Sequence, residues 1–401
     1  MSSTALLALG TGDQNPVAKS ERVPELDGIR GLAILLVMAY HVVGPYALPG
    51  HLPGHATWAR VIRVAGFGAA GVQLFFVLSG FLIGGILLRV KSSDTYFSTF
   101  YFRRALRILP PYYALLLFVA LLRMAGPDHW FSELVLSPAS LLGYLAFLPN
   151  IVMAAHSSWG IPILGVSWSL GVEEQFYLTL PVAVRLLSSR ALAVVTAALV
   201  VAAPVLRYLL LARGQSFASY MLMPCEADCL GIGVLIAIGF EHGQVLQWMR
   251  SRAGALRILG AICLAAAVFY NCFAAHGLFW SAAYITLLGA GFGALLVNAL
   301  ALPGGLAAKC FRLSWLRHTG IVAYGAYLFH QPCIEAISIL TTRAHAPKLL
   351  ILVSRAVAVP LALGFAHLSW KYFEQPLVRL GHRKSYEPPR ATRHAAAASP
   401  A

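Results

Sequence analysis

Acidic residues are scarce in this sequence. Asp and Glu together number 15 in 401 positions, against 30 Lys and Arg, and charged residues of both signs make up only 11% of the chain. A soluble domain of this size needs more charge than that to cover its surface. The sequence also lacks an internal repeat and a soluble domain interrupting its apolar stretches, which excludes solenoid and multidomain soluble architectures. Short alternating strands, the mark of a membrane β-barrel, are missing too. What is present is 59% hydrophobic residues, a mean hydropathy of +0.73 and long unbroken apolar runs. These point to an all-α integral membrane protein, a polytopic helical bundle.

Cysteine use is equally uninformative as a framework. The six cysteines are scattered. Cys225 and Cys229 stand one helical turn apart beside Glu226 and Asp228, but no ligand quartet is completed, so they read as small apolar filler, with no disulfide and no metal. The apolar patch in "MSSTALLALG" has no basic segment before it and is not a convincing signal peptide. Residues 1–23 are therefore expected to be a cytoplasmic tail, 24–381 the membrane domain and 382–401 a disordered cytoplasmic tail. The net charge of +15 fits basic cytoplasmic loops against anionic membrane lipids, and without a basic, aromatic-rich stripe nucleic acid is not an expected partner.

Apolar runs fall near 29–47, 69–88, 111–125, 138–154, 164–187, 190–211, 221–240, 255–275, 279–301, 319–340 and 349–370. Arg89, Lys91, Arg103, Arg104 and Arg107 place the loop 89–110 inside, and Arg185 and Arg190 do the same for 185–190. Asp128 and Glu133 place 126–137 outside. Two inside loops must be joined by an even number of crossings, yet three runs lie between them. The run 138–154, interrupted by Pro149 and Asn150, is expected to be re-entrant or to lie flat. About ten transmembrane helices with both termini inside, in the inner (plasma) membrane, is the consistent expectation. Its outer loops are short, so a large substrate meets the membrane domain itself.

Ionisable groups in or beside apolar runs are expensive and mark function. In "ELDGIRGLAILLVMAYHV", Arg30 and His41 are eleven steps apart, about three helical turns, so they share one face roughly 16 Å apart along the axis. Alone, Arg30 reads equally well as an interfacial anchor and His41 as a core histidine; together they read as a pair. In "FYFRRALRILPPYY", Arg103, Arg104 and Arg107 precede a span expected to begin at Pro110 or Pro111. Arg103 and Arg107 are four apart and share a face. A topology anchor explains such charge, and so does a phosphorylated ligand gripped by guanidinium forks. "GVSWSLGVEEQFYL" sets Glu173 and Glu174 at a span edge, where at least one is expected to face a polar cavity and orient His41. Ser79 and Gly80, in "FFVLSGFLI", read as helix-packing residues. Glu374, near the cytoplasmic edge, reads as a cap or an arginine partner.

In order along the chain, "LDGIRGLAILLVMAYH", "FFVLSGFLI", "RRALRILPPYY", "SWSLGVEEQFY", "YGAYLFHQP" and "SWKYFEQP" resemble the successive blocks of the acyltransferase 3 family of membrane acyltransferases, over about residues 24–381. The resemblance implies transfer of an acyl group, commonly acetyl from acetyl-CoA, to a hydroxyl of a carbohydrate, glycolipid or glycosylated small molecule. It also implies the stand-alone form, without the esterase-like domain some relatives carry. His41 falls on the family's proposed catalytic histidine, Arg30 on its signature arginine, and Arg104 and Arg107 in the block linked to acyl-CoA handling. "PCEADCLGIG" departs from the family's Arg-x-Asp-x-Leu-x-x-Gly: Glu226 stands where Arg is usual, while Asp228, Leu230 and Gly233 match. Ala323 replaces the Ser that often precedes Tyr324.

The resulting expectation is that acyl-CoA is a co-substrate and no cofactor is permanently bound. Arg30, Arg103, Arg104 and Arg107 hold its phosphates, and the pantetheine arm runs along the first helix to His41. His41 acts as general base or as a transient acyl carrier, with Glu173 in support. Ser167, Trp168, Glu174, Asp228, Tyr324 and His330 complete the expected substrate-binding set. The competing classes are a proton-coupled transporter, which also uses intramembrane His, Glu and Arg, and an export-complex component, which leaves Arg30 and His41 unexplained.

Overall fold

The computed structural model describes residues 23–43, 64–126, 131–137, 139–273 and 277–388, so most of both expected tails, and Asp128, lie outside the described residues. Ten long helices carry the described fold: α1 Pro24–Val43, α2 Gly71–Arg89, α3 Tyr96–Met124, α4 Trp168–Leu186, α5 Ser189–Ala212, α6 Ala227–Glu241, α7 Ala253–Phe273, α8 Leu278–Ala301, α9 Ala323–Arg343 and α10 Lys348–Ser369. A π-helical turn, Trp370–Glu374, leads from α10 into the short α11, Gln375–Arg383. No strand occurs among the described residues. The protein is an all-helical, multi-pass membrane protein.

Among the described residues, seven stretches are long and apolar enough to cross a bilayer, or eight if α6 and the helix Gly243–Ser251, bent by 108° from it, form one span. The expected ten would require α4 and α9, 19 and 21 residues long, to cross as well. Both carry the polar residues of the site described below, which is why hydropathy alone does not select them. The run 138–154 forms two short helices, Leu141–Leu145 and Pro149–His156, separated at Phe147, whose φ is +55°. At 1.5 Å per residue neither approaches the roughly 30 Å of a hydrocarbon core. The side chain of Asn150 exchanges hydrogen bonds with Gln175 and donates to the Met221 carbonyl, tying this segment into the bundle.

Burial sorts the helices. α2 is apolar all round and packs against α1, α6 and α4, as a core helix should. α5, α7 and α10 instead expose Val194, Leu199, Val205, Ile258, Ile262, Phe269, Val357 and Leu361 on their outer faces, an apolar belt suited to lipid. α2 and α6 approach closely in the core. A Cβ on Gly80 would strike the Leu230 carbonyl, and one on Gly233 would strike the Val77 carbonyl. This is small-residue packing of membrane helices in its tightest form. Gly233→Ala is therefore expected to cost about 1–3 kcal/mol, the overpacking range, read as a lower unfolding temperature of the purified protein in detergent.

Two expectations need correction. α3 does not begin at Pro110 or Pro111 but at Tyr96, and both prolines lie inside it. They remove two amide donors without ending the helix, and the Tyr324 hydroxyl donates to the nearby Ile108 carbonyl at 2.7 Å. The three arginines thus ride on the helix rather than ahead of it. The first residues of the expected C-terminal tail are also docked. Arg103 donates to the Lys384 carbonyl through Nε and Nη2 at 3.0 and 2.7 Å. Ser93 and Thr99 donate to the carbonyls of Glu387 and Ser385.

Candidate functional site

α1 is the spine of the site. Glu25 and Asp27 lie in its first turn, where the helix dipole favours negative charge. Glu25 accepts from Arg312 Nε at 2.6 Å, and Asp27 from Arg30 Nη1 at 2.8 Å. At the other end the last carbonyls of a helix need donors, and Arg355 on α10 supplies them. Its Nη2 donates to the His41 carbonyl at 2.6 Å, its Nε to the Val42 carbonyl at 3.0 Å and its Nη1 to Ser338 Oγ at 2.7 Å. The turn that carries His41 is therefore fixed from outside the helix.

Along α1, Arg30 and His41 open into two different cavities. The first, about 140 Å³, is lined by Arg30, Arg104 and Arg107 together with Ser79, Ser169, Glu173, Glu174, Tyr177 and Tyr324. The second, about 760 Å³, is lined by His41 with Tyr40, Gln73, Trp159, Trp168, Tyr220, Tyr284, Gln331, Glu335 and Arg355. Val72 and Tyr327 line both, so the partition between them is one layer of side chains thick. α4 begins at this partition: Trp168 faces the His41 chamber and Ser169 the arginine chamber.

In the arginine chamber three guanidiniums face two carboxylates. Ser79 Oγ donates to Glu173 Oε1 at 2.6 Å and Tyr177 donates to Glu173 Oε2 at 3.0 Å. Arg104 lies over the Tyr177 and Phe100 rings. Neither Arg104 nor Arg107 forms an ion pair with a described residue. Half-buried guanidiniums without a carboxylate partner form an anion site, and Arg is suited to phosphate oxygens.

In the other chamber, His41 Nδ1 lies 2.8 Å from the Val37 carbonyl. A carbonyl only accepts, so the hydrogen sits on Nδ1, and Nε2 of the neutral ring carries the lone pair. His330, fully buried on α9, has the same arrangement toward the Ala326 carbonyl at 3.1 Å. Its ring meets that of His41 edge-on, with centroids 4.8 Å apart. A lone pair on His41 Nε2 in a chamber large enough for a sugar-sized ligand has the form of a base waiting for a hydroxyl proton.

The structure thus brings Arg30, Arg104, Arg107, Glu173, Glu174 and Tyr324 together in one chamber, and His41, Trp168 and His330 around the other. It separates several residues from the site. Glu173 does not support His41: both its oxygens are used by Ser79 and Tyr177 on the arginine side of the partition. Arg103 turns away to the C-terminal segment and stacks on Tyr386, because α3 presents residues 104 and 107 to the chamber, three apart, rather than 103 and 107. Ser167 is buried and donates to the Leu164 carbonyl at 2.6 Å. Asp228 accepts from Arg207 Nη2 and Thr286 Oγ1, both at 2.6 Å, in a buried network away from both cavities. Glu374 accepts from Ser369 at 2.7 Å rather than pairing with an arginine.

Among the described residues, Glu226, Asp228 and Cys229 are the one grouping with ligand atoms close enough to share a metal ion, within 4.8 Å of one another. The Arg207 guanidinium already occupies Asp228 there, and its charge opposes a cation. Sequence reading passed over Ser79, Tyr177, Gln331, Glu335, Arg207 and Arg355 as site or support residues. Arg207 and Arg355 had a visible signal, a charge inside an apolar run. Ser79 had none, since a serine in a helix reads as packing.

A family model described as an acyltransferase domain matches residues 23–369. The chain is 26% identical over 378 residues to the peptidoglycan O-acetyltransferase OatA of Listeria monocytogenes, covering 90% of this chain and 56% of that protein. It is 29% identical over 386 residues to the putative peptidoglycan O-acetyltransferase YrhL of Bacillus subtilis, again covering 90% and 56%. A putative O-acetyltransferase of Staphylococcus aureus is 22% identical over 402 residues, covering 92% and 60%. The chain therefore spans a little over half the length of these relatives. No solved structure matches it. With five of the six sequence blocks lining the two chambers, and the family model spanning nearly all of the described helices, the chain belongs to the acyltransferase 3 family.

Proposed function

We propose that the protein transfers an acyl group, acetyl in the first instance, from acyl-CoA to a hydroxyl of a carbohydrate or glycosylated acceptor at the membrane. The observation that carries this reading is the pair of chambers on one helix. One is lined by Arg30, Arg104 and Arg107, with the chemistry of a phosphate site, and the other by His41, with the chemistry of a base. About 16 Å of α1 separates Arg30 from His41, a span that an extended pantetheine arm bridges. The relatives named as peptidoglycan O-acetyltransferases support a sugar hydroxyl as acceptor. The aromatic lining of the His41 chamber, with Trp159, Trp168, Tyr220 and Tyr284, offers flat faces for a pyranose ring.

In the reaction, His41 Nε2 takes the hydroxyl proton as the oxygen attacks the thioester carbonyl. The C–S bond breaks, the new C–O bond holds the acyl group, and the departing thiolate receives the proton. With His41 as acyl carrier, a C–N bond to Nε2 forms as the C–S bond breaks and the thiolate leaves, and the acceptor oxygen then displaces the imidazole as the C–O bond forms, its proton passing to the thiolate. Trapping acyl-His41 from labelled acetyl-CoA without acceptor selects the carrier; an unlabelled histidine after rapid quench selects the base.

The test of the donor site is binding. Arg104→Ala and Arg107→Ala are each expected to weaken CoA binding about tenfold or more, the loss of one charge-assisted contact, measured by calorimetry on protein in detergent. Unchanged affinity in both variants overturns the donor reading.

A further inference from the structure

The donor site and the base lie on opposite sides of a partition, so a thioester held by the arginines must cross it to reach His41. Among the described residues, only Val72 on α2 and Tyr327 on α9 line both chambers. Of the two, Tyr327 is held by hydrogen bonds that a rotation of its ring would break. Its hydroxyl donates to the Val166 carbonyl at 2.8 Å and lies 2.6 Å from Ser169 Oγ. These bonds anchor the ring across the gap. Val72, opposite, is a short side chain on the first turn of α2 and makes no such bond.

Tyr327 also stands midway in a series on α9. Tyr324 lines the arginine chamber, Tyr327 the partition, and His330 packs on His41. Residues three apart on a helix share a face, so one face of α9 runs from the donor side to the reaction side. The Tyr327 ring lies 5.6 Å from that of His330 and 6.2 Å from that of Phe75, centroid to centroid. A swing of Tyr327 therefore opens the partition next to the imidazole pair.

We propose that Tyr327, closing against Val72, is the gate through which the acyl-bearing arm of the donor passes from the arginine chamber to His41. The gate rests on the acyl-CoA reading above and adds a function to it. With the ring anchored, the thioester stays on the arginine side. Tyr40, Gln73, Gln331, Glu335 and Arg355 give the His41 chamber a polar lining, which suits it to hold water. A thioester that crosses without an acceptor is therefore open to hydrolysis by a His41-activated water. That reaction breaks the C–S bond, joins the water oxygen to the acyl carbon and leaves the two water protons on the thiol and the carboxylic acid.

The experiment follows the thiol released from acetyl-CoA by the purified full-length protein without acceptor. Tyr327→Phe keeps the ring and removes its anchor; Val72→Ala keeps the anchor and thins the opposite side. Tyr327→Phe is expected to raise thiol release about fivefold, the population shift that the net value of one hydrogen bond produces, and Val72→Ala to raise it in the same direction. The rise should vanish when His41→Ala is added, with CoA binding retained. A rise that survives His41→Ala means that hydrolysis bypasses the second chamber, which overturns the gate. No rise in either variant, with CoA binding intact, also overturns the gate and leaves the donor reading standing. A wild-type protein that binds no CoA removes both.

Discussion

Replacement of His41 by Ala is expected to abolish acyl transfer, by about 10²–10⁴-fold, the usual contribution of a positioned base, while CoA binding is retained. The two halves of this expectation have separate structural grounds. Transfer is lost because His41 is the imidazole at the reaction-side end of α1, with its hydrogen committed to the Val37 carbonyl and its Nε2 lone pair available. Binding is kept because His41 lines a different chamber from Arg30, Arg104 and Arg107. Equal loss of both would mean that the substitution disturbs the whole bundle, and His41→Gln, which keeps most of the volume without the base, separates the cases. A folded His41→Gln protein with full transfer would remove His41 from the chemistry.

The same comparison distinguishes His41 from His330. His330 packs on His41 and is bonded to its own helix, but the larger chamber is lined by His41 and not by His330. The Arg355 contacts to the carbonyls of His41 and Val42 belong to the same unit: they hold the end of α1 on which the base depends. A histidine whose backbone is pinned by a neighbouring helix has little freedom to choose another partner, and such preorganisation is what a positioned base requires.

The helical class, the membrane setting and the placing of Arg30 and His41 on one helix are all legible in the sequence, because each depends on local periodicity and on the cost of a polar group in an apolar run. Partner choice is not local. Glu173 could not be assigned to Ser79 rather than His41, since the 94 positions between Ser79 and Glu173 carry no spacing rule. Arg103 and Arg107 were paired by the four-residue rule, but the C-terminal segment takes Arg103, and only packing decides that. Ser79 and Tyr327 were unreadable for a further reason. A hydroxyl inside a helix is as compatible with packing as with an anchor, and the partition that Tyr327 helps build exists only where α2, α4 and α9 meet.

Removal of Arg207 is expected to be the most damaging single change outside the two chambers. This side chain is 1% exposed and ties α5 to α6 and α8. It donates to the Ala282 carbonyl at 2.8 Å, to the Cys225 carbonyl, and through Nη2 to Asp228 Oδ2 and Thr286 Oγ1. Within the same buried cluster both oxygens of Glu226 lack a hydrogen-bond partner among the described residues. Glu226 stands where the family usually has an arginine, and Arg207 from a neighbouring helix is the cation that balances Asp228. Arg207→Met therefore leaves the Asp228 carboxylate in an apolar interior with no counter-charge. Breaking a buried pair from one side costs about 3–5 kcal/mol, to be seen as a large drop in unfolding temperature and loss of the monodisperse protein in detergent. The control is Arg207→Met with Asp228→Leu, which removes the charge from both sides; buried pairs replaced by apolar groups are often neutral, so this double variant is expected to recover most of the loss. A single Arg207→Met variant as stable as the wild type would show that the network is not a stabilising one. The distances give a reason to expect otherwise: the guanidinium bonds groups on two other helices at once.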